Sequence, residues 1–559
     1  MIFFDFEVFK YDWLAVLSNT ETKEFTEIVN DTAALNDFYA MHSKDVWIGY
    51  NCRGYDQYIL KAILLDMNPK AVNDAIIEEG KKGWEITDAF RQIPLYFFDI
   101  MTSFHSLKQL EGFLGNDIRE SDVPFNIERK LSKSEIQSVL KYCRHDVEQT
   151  MEVFINRIEE FKSQMGLIKA FGLPLEDVGK TKPQLSALIL GARRQSHKDE
   201  WDIAILETLK IRKYQHIVDW YKNPDNRDYN RIIETDVSGV PHVFAWGGLH
   251  GAIPNYEGEG EFINIDVASF YPALMIEYGY ISRNVSDRNK YREIRDTRLK
   301  LKAEKNPMQA PYKIVLNSTY GAMKDKYNAL YDPRQANNVC VGGQLLLLDL
   351  IEHLEPYGQL IQSNTDGVIY NVRDMEGIKA ACQEWEQRTR MVLELDTFVK
   401  IVQKDVNNYI IVHEDGSYKS KGAYVKKLDV LDNDLPIVNT AIVEFLINGV
   451  PVSDTIRKCA DLMQFQKICK VSNKYIHAVD GDGNIIKERV LRVFASRSRS
   501  DTGIFKISQR TKKPEKISYT PERCRIVNEN VNGSPIPRWL DIEWYVGVAE
   551  KRVGDFIGG

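Results

Sequence analysis

The sequence predicts a multi-domain α/β protein. Its 559 residues exceed what a single core organises, and 43% hydrophobic content is ample for several. Short β-prone apolar runs recur, at residues 2–6, 47–51, 262–265 and 368–370, and several deliver a carboxylate. These runs alternate with stretches of helical spacing, such as residues 288–305 and 313–321.

Composition narrows the class. No run approaches the length of a membrane span, and the apolar start MIFF turns acidic at Asp5. That reads as a chain without a signal peptide, expected in the cytoplasm. The seven cysteines are scattered and odd in number and form no CxxC, so they are expected to be reduced, in neither a disulfide framework nor a zinc site. The net charge of −7 is no footprint of a nucleic-acid binder, but overall sign counts for less than local distribution. No internal repeat or low-complexity segment is present.

At the N-terminus, Asp5 and Glu7 stand at i and i+2 of a hydrophobic strand and so share one face. A second strand, Trp47 to Asn51, leads through Arg53-Gly54-Tyr55 to Asp56. Tyr142 and Asp146, in YCRHD, lie one helical turn apart. Four carboxylates from three elements plus a helix tyrosine fit a two-metal phosphodiesterase, the acids holding metal and the tyrosine orienting water. Asp99, at the end of another apolar run, reads as structural. Residues 206–220 have helical spacing, and Asn223-Pro224-Asp225-Asn226 is a turn. Val243 to Gly251 ends a strand in a glycine cluster, where backbone can approach another chain closely.

The stretch EFINIDVASFYP, residues 261–272, is the centre of the chain. A short strand delivers Asp266 at its end, a rigid mount for a divalent cation, and a turn with Tyr271 follows. Arg288, Arg292, Arg295, Arg298 and Lys302 then recur at helical spacing and form a cationic face, with Arg298 and Lys302 the preferred phosphate contacts. Asn306-Pro307 ends that helix. On the next, Lys313, Asn317 and Tyr320 fall at i, i+4 and i+7, a cation, an amide and a ring suited to a nucleotide. In QLIQSNTDGVIY a β-prone run breaks at Asn364-Thr365-Asp366-Gly367 and resumes, placing Asp366 at a hairpin tip. Two such carboxylates could hold two Mg²⁺ ions about 3.5–4 Å apart. Residues 441–448 look helical. Residues 487–516 interleave Arg497, Arg499, Lys506, Arg510, Lys512 and Lys513 with Ser and Thr, a composition suited to sequence-independent phosphate contacts.

The order DxxSxYP, KxxxNSxYG and a TDG turn resembles motifs A, B and C of the family B DNA polymerases, and the N-terminal acids resemble a 3′→5′ exonuclease of the DEDDy type. The likeness covers nearly the whole chain and is most specific over residues 1–150 and 261–425. It implies an RNase H-like exonuclease domain over 1–155, a connector and start of palm over 156–260, a palm over 261–285 and 341–430, fingers over 286–340, and a thumb and C-terminal region over 431–559.

The resemblance also implies roles. Asp5, Glu7, Asp56 and Asp146 are metal ligands and Tyr142 positions water. Asn51 and Tyr55 touch a frayed primer end, and Ser106-Leu107 resembles a single-strand-contacting motif. Asp266 and Asp366 hold two Mg²⁺, for which Mn²⁺ can substitute. Tyr271 excludes a 2′-hydroxyl, and Asn317 and Tyr320 floor the nascent base pair. Gly247-Gly248 resembles a template-contacting motif. Lys404, Tyr409 and Lys421 resemble the primer-gripping KxY region, with Lys404 or Lys421 replacing its usual lysine. The implied partners are primer–template DNA, dNTPs and phage replisome proteins, with no membrane. The implied activity is DNA-directed synthesis with proofreading, in a compact bacteriophage-type enzyme with no additional N-terminal module. The spacings between motifs A and B and between B and C leave no room for the insertions of protein-primed relatives.

One position departs from the pattern. Motif C is usually DTDS, and here an amide, Asn364, replaces the first acid. That keeps in view an exonuclease with a weak or degenerate polymerase site; a separate alternative, of a different class, is a non-enzymatic nucleic-acid-binding protein.

Overall fold

The computed structural model describes residues 1–101 and 105–558. The protein is a mixed α/β, multi-domain chain that folds as two compact units. One comprises Met1–Lys180, Leu428–Val438 and Ser453–Gly547, and the other Thr181–Lys427, Asn439–Val452 and the stretch from Val548.

The first unit is built on a five-stranded sheet of β1 (Ile2–Val8), β2 (Trp13–Asn19), β3 (Phe25–Val29), β4 (Val46–Gly49) and β5 (Tyr96–Asp99), in the order β3-β2-β1-β4-β5. β1 is central, antiparallel to β2 and parallel to β4. Its alternation decides what each face receives. Ile2, Phe4, Phe6 and Val8 enter one core with Trp47, Ile59 and Leu60. Phe3 enters another with Val139, Cys143 and Val147 of the helix Lys133–Asn156. Asp5 and Glu7 follow Phe3 at a period of two, so they face that helix. This second core also takes Leu431, Ile468 and Val490 from distant stretches of chain. Arg492, fully buried, joins them to the N-terminal part by donating to the carbonyls of Asn116 at 2.6 Å and Gly112 at 3.2 Å. A three-stranded sheet (Lys467–Lys470, Val490–Ala495, Cys524–Ile526) and a four-stranded sheet complete the unit. In the latter, Arg510, Lys512 and Lys513 are exposed on the turn between Ile504–Ser508 and Pro514–Lys516.

The second unit carries a nine-stranded sheet. Its strands are β6 (Ile232–Val237), β7 (Val240–Ala245), β8 (Leu249–Ala252), β9 (Tyr256–Val267), β10 (Gly358–Ser363), β11 (Gly367–Val372), β12 (Leu393–Asp405), β13 (Asn408–Val412) and β14 (Tyr418–Lys421). They run in the order β14-β13-β12-β9-β11-β10-β8-β7-β6. The long helix Pro333–Leu354 is buried along almost its whole length. The helices Asn289–Ala303 and Gln309–Lys324 pack on each other, and Lys182–Ile189 packs on the latter.

The helix expected over 206–220 is confined to Gln215–Lys222. The segment before it spends its backbone N–H groups on side chains of the long helix: Lys210 N donates to Asp349 Oδ2 at 2.5 Å and Arg212 N to Glu352 Oε1 at 2.9 Å. Donors bound that way cannot close helical turns. Near the other end, the helical stretch expected over 441–448 is part of Pro436–Asn448.

Candidate active sites

In the second unit, Asp266 lies near the end of β9, flanked on both sides. Gly367 of β11 and Glu394 of β12 stand opposite it in register. The turn Asn364–Gly367 is tight: Asn364 N donates to Gly367 O at 2.8 Å and Val267 N to Asp366 O at 2.7 Å. Asp366, in the turn just before the cross-strand partner of Asp266, thus lies close enough for its charge to act on the Asp266 carboxyl. Gly367 is required by contact, since a Cβ there would fall 2.0 Å from Asp266 Oδ1. Burial lifts the Asp266 carboxyl to about 6, with the Asp366 charge adding and an Asn264 amide at 2.6 Å opposing. Asn364 turns its side-chain oxygen onto Thr365 N at 2.9 Å, so its amide braces the turn.

After Asp266 the backbone turns into the helix Phe270–Glu277 through Ser269, which holds the left-handed conformation (φ 49°, ψ 47°). That reversal brings Tyr271 edge-on to Tyr320, ring centroids 4.4 Å apart. A cavity of about 520 Å³ lies here, lined by Tyr271, Arg298, Lys302, Lys313, Asn317, Tyr320, Asp366 and Glu394, among others. All six residues expected to bind a nucleotide share this one cavity. Arg298 is only 9% exposed; its Nη1 donates to Ser269 Oγ at 3.1 Å while its Nε finds no partner among the described residues.

The cationic stripe divides. Arg292 and Arg295 pair with Glu277 at 3.2 and 2.8 Å, leaving Arg298 and Lys302 to the cavity. Tyr409 pairs in register with Lys421. Burial raises the Tyr409 phenol, with the charges of Asp266 and Asp366 adding to it, so it lies within electrostatic reach of both. Lys404 sits over the Tyr424 ring, 5.9 Å from its centroid. The Gly248 position faces Thr365, whose Oγ1 lies 3.9 Å from where a Cβ would be. Glu394 escaped sequence reasoning. Its only signal was its place in the alternation of LELD, in a strand with no turn residue to mark it.

In the first unit, Asp5 and Glu7 meet the helix Lys133–Asn156, and Cys143 Sγ lies 3.4 Å from Asp5 Oδ2. Asp56 opens the helix Asp56–Leu64 and is almost fully buried, with its Oδ1 unpartnered among the described residues. Burial pushes the Asp5 carboxyl up to about 7, and the charge of Asp146 adds. Burial likewise raises Glu7, Asp56 and Asp146, with neighbouring carboxylates adding in each case. Tyr142 is raised by burial and then by Asp146, Glu7 and Asp5. Desolvated carboxylates that repel one another and leave an oxygen unsatisfied are a set that a hard cation would relieve.

Lys108 also belongs here. It bridges Asp146 and Glu111, the latter at 2.9 Å, and lies 4.7 Å from the Tyr142 ring centroid. Burial works against its ammonium, yet the two acids hold it above the ordinary lysine value. Lys108 bridges two members of the grouping Glu111–His145–Asp146, whose His145 Nε2 has no hydrogen-bond partner among the described residues. Lys108 lies beside the expected contacts in HSLKQL. Ser106 N donates to Gln109 Oε1 at 3.1 Å as the helix Leu107–Phe113 starts.

Asn51 (φ 61°) donates its N–H to Asp99 Oδ1, and Arg53 N donates to Asp99 Oδ2, so Asp99 ties this loop down. Tyr55 donates to Asn73 Oδ1 at 2.7 Å and, with Glu7, lines a cavity of about 840 Å³.

No protein-family model matches the sequence, and no curated protein matches it. Among solved structures, the chain is similar to the family B DNA polymerase from the hyperthermophilic archaeon Pyrobaculum calidifontis. The identity is 13%, over 99% of this chain and 77% of that one, with a TM-score of 0.44. No described helix is long and apolar enough to cross a membrane.

Proposed function

We propose that the chain is a DNA-directed DNA polymerase with a 3′→5′ proofreading exonuclease, of the family B type and replicating a phage genome. The observation that carries this reading is the pairing of Asp266 with the Asp366 turn at the edge of a cavity holding Lys313, Arg298, Lys302 and two tyrosines.

The donor chemistry of both acid sets, carboxylate oxygens, fits Mg²⁺ or Mn²⁺. Asp266 and Asp366 would hold ions at the synthesis site, and Asp5, Glu7, Asp56 and Asp146 at the degradation site. When bound, such ions lower the pKa of the attacking oxygen and neutralise the leaving group. Arg298 and Lys302 bind triphosphate oxygens, and Lys313 offsets charge developing on pyrophosphate. Tyr271 closes the space a 2′-hydroxyl would need, selecting dNTPs, and Asn317 and Tyr320 floor the base pair. Tyr409, Lys404 and Lys421 grip the primer. In the exonuclease, Tyr142 orients water, Lys108 opposes the effect of burial on Asp146, and Asn51, Tyr55, Ser106 and Leu107 receive the frayed end. The segments named above as exonuclease, connector, palm, fingers and thumb follow from the same reading.

A primer–template assay tests it. Asp366→Ala is expected to abolish extension and keep degradation, and Asp5→Ala to do the reverse. A second reading, an exonuclease with a weak synthesis site, is favoured by Asn364 alone. Wild-type degradation without extension would establish it, and neither activity would leave a non-enzymatic DNA binder.

A further inference from the structure

The loop RRQSHK, residues 193–198, follows the helix Lys182–Ile189 and is exposed but anchored. Ala192 pairs with Val285, Arg193 N donates to Asn284 O at 2.9 Å, and His197 Nε2 meets Asn284 Oδ1 at 2.8 Å. Asn284, 2% exposed, also donates to the carbonyls of Ala329 at 2.8 Å and Tyr331 at 3.0 Å. One buried amide thus fixes this loop against the segment 329–331. Arg194 lies over the Tyr331 ring, 5.5 Å from its centroid, beside a cavity of about 340 Å³ lined by Arg194, Gln195, Ser196, His197 and Tyr331. Lys326 and Tyr327, the latter 81% exposed, come just before in the same segment.

The local charge is strongly positive. Asp199 and Asp332 are both taken by Arg283, at 2.6 and 2.7 Å, and Arg334 adds to Asp199 at 3.0 Å. Arg193, Arg194, Lys198 and Lys326 enter no ion pair among the described residues; the nearby acids left are Asp325, capping Tyr327 N at 2.9 Å, and Glu200, which accepts from Tyr229 Oη at 2.7 Å. Anchored cations interleaved with aromatic rings, in a chain of net charge −7, match a surface that tracks a single-stranded backbone and stacks its bases. The segment also continues from the helix that carries Lys313, Asn317 and Tyr320: Lys324, on the last turn, lies 5.1 Å from the Tyr320 ring centroid.

We infer that Arg193, Arg194, Lys198, Lys326, Tyr327 and Tyr331 form a binding surface for single-stranded nucleic acid, which the unpaired template strand follows away from the nucleotide cavity. The template assignment rests on the polymerase reading. The binding itself is measurable without synthesis.

The test is equilibrium binding, in EDTA, of labelled primer–templates whose 5′ overhang is two or about twelve nucleotides long, within the span of such platforms. The wild type is expected to bind the longer overhang more tightly. Arg193→Ala/Arg194→Ala/Lys198→Ala should remove that gain, about tenfold, leave the short-overhang affinity unchanged, and flatten the log-salt slope on the long overhang by about two. Tyr327→Ala, a change at an exposed ring, should remove a several-fold part of the gain. The inference is overturned if the triple variant keeps the wild-type gain, or if it weakens both substrates equally. A wild type that extends the short-overhang primer but gains nothing from the long overhang refutes this surface alone. A wild type that binds neither DNA refutes the polymerase reading as well.

Discussion

Gly367→Ala is the sharpest perturbation available, because it adds one carbon and no charge. That carbon would stand 2.0 Å from Asp266 Oδ1, when ordinary contact needs about 3.4 Å or more. The carboxylate must therefore give way by more than about 1 Å. Its backbone cannot yield, since β9 is paired with β11 on one side and β12 on the other. Rotation of the side chain is what remains, and it breaks the 2.6 Å hydrogen bond from Asn264. A misplacement of about 1 Å at a reacting centre costs on the order of 100-fold in rate, about 2.7 kcal/mol. Single-nucleotide extension should fall by about that factor, while degradation of single-stranded DNA stays at the wild-type rate and reports that the protein is folded. Extension at the wild-type rate in Gly367→Ala would refute the assignment of Asp266 as the metal-holding carboxylate.

Lys108→Met strips the counter-charge from buried Asp146 and Glu111. The exonuclease pH profile should move to higher pH, because Lys108 holds the Asp146 pKa down, and breaking such a buried pair should lower stability by about 3–5 kcal/mol; an unmoved profile would contradict the contact. Buried His242 donates from Nδ1 to Val240 O at 2.8 Å and accepts from Ser363 Oγ at 2.6 Å, and burial holds its pKa below the ordinary value. The unfolded chain then binds the proton more readily, so this contribution to stability is present above about pH 6.5 and is lost as pH falls below it. Thermal melting across that range should show the slope, and His242→Gln should flatten it. Adding Mg²⁺ should raise the melting temperature by mass action, and the rise should shrink in Asp5→Asn/Glu7→Gln. EDTA should abolish both extension and degradation.

Much of each site was legible because its residues carry local signals. A run such as IFFDFE or FINID announces a strand and its acid together, and NTDG announces its own turn. Lys313, Asn317 and Tyr320 announced a shared face by spacing, and the cavity gathers them. What escaped depends on partners far along the chain. Glu394 gains meaning only from its register opposite Asp266. Arg292 and Arg295 looked equivalent to Arg298 until Glu277 claimed them. Residues 206–214 kept a helical period, but the acids that capture their N–H groups lie more than a hundred positions later. The likeness to a known family supplied roles where spacing supplied only candidates, as for Ser106 and Leu107.

The core beneath Asp5 and Glu7 has a consequence for biosynthesis. Phe3 and Val147 leave the ribosome early, yet Leu431, Ile468 and Val490, which pack into the same cluster, are translated hundreds of codons later. The nascent N-terminal third must wait with part of its apolar surface uncovered, and a message truncated near codon 180 would yield a product in need of chaperones.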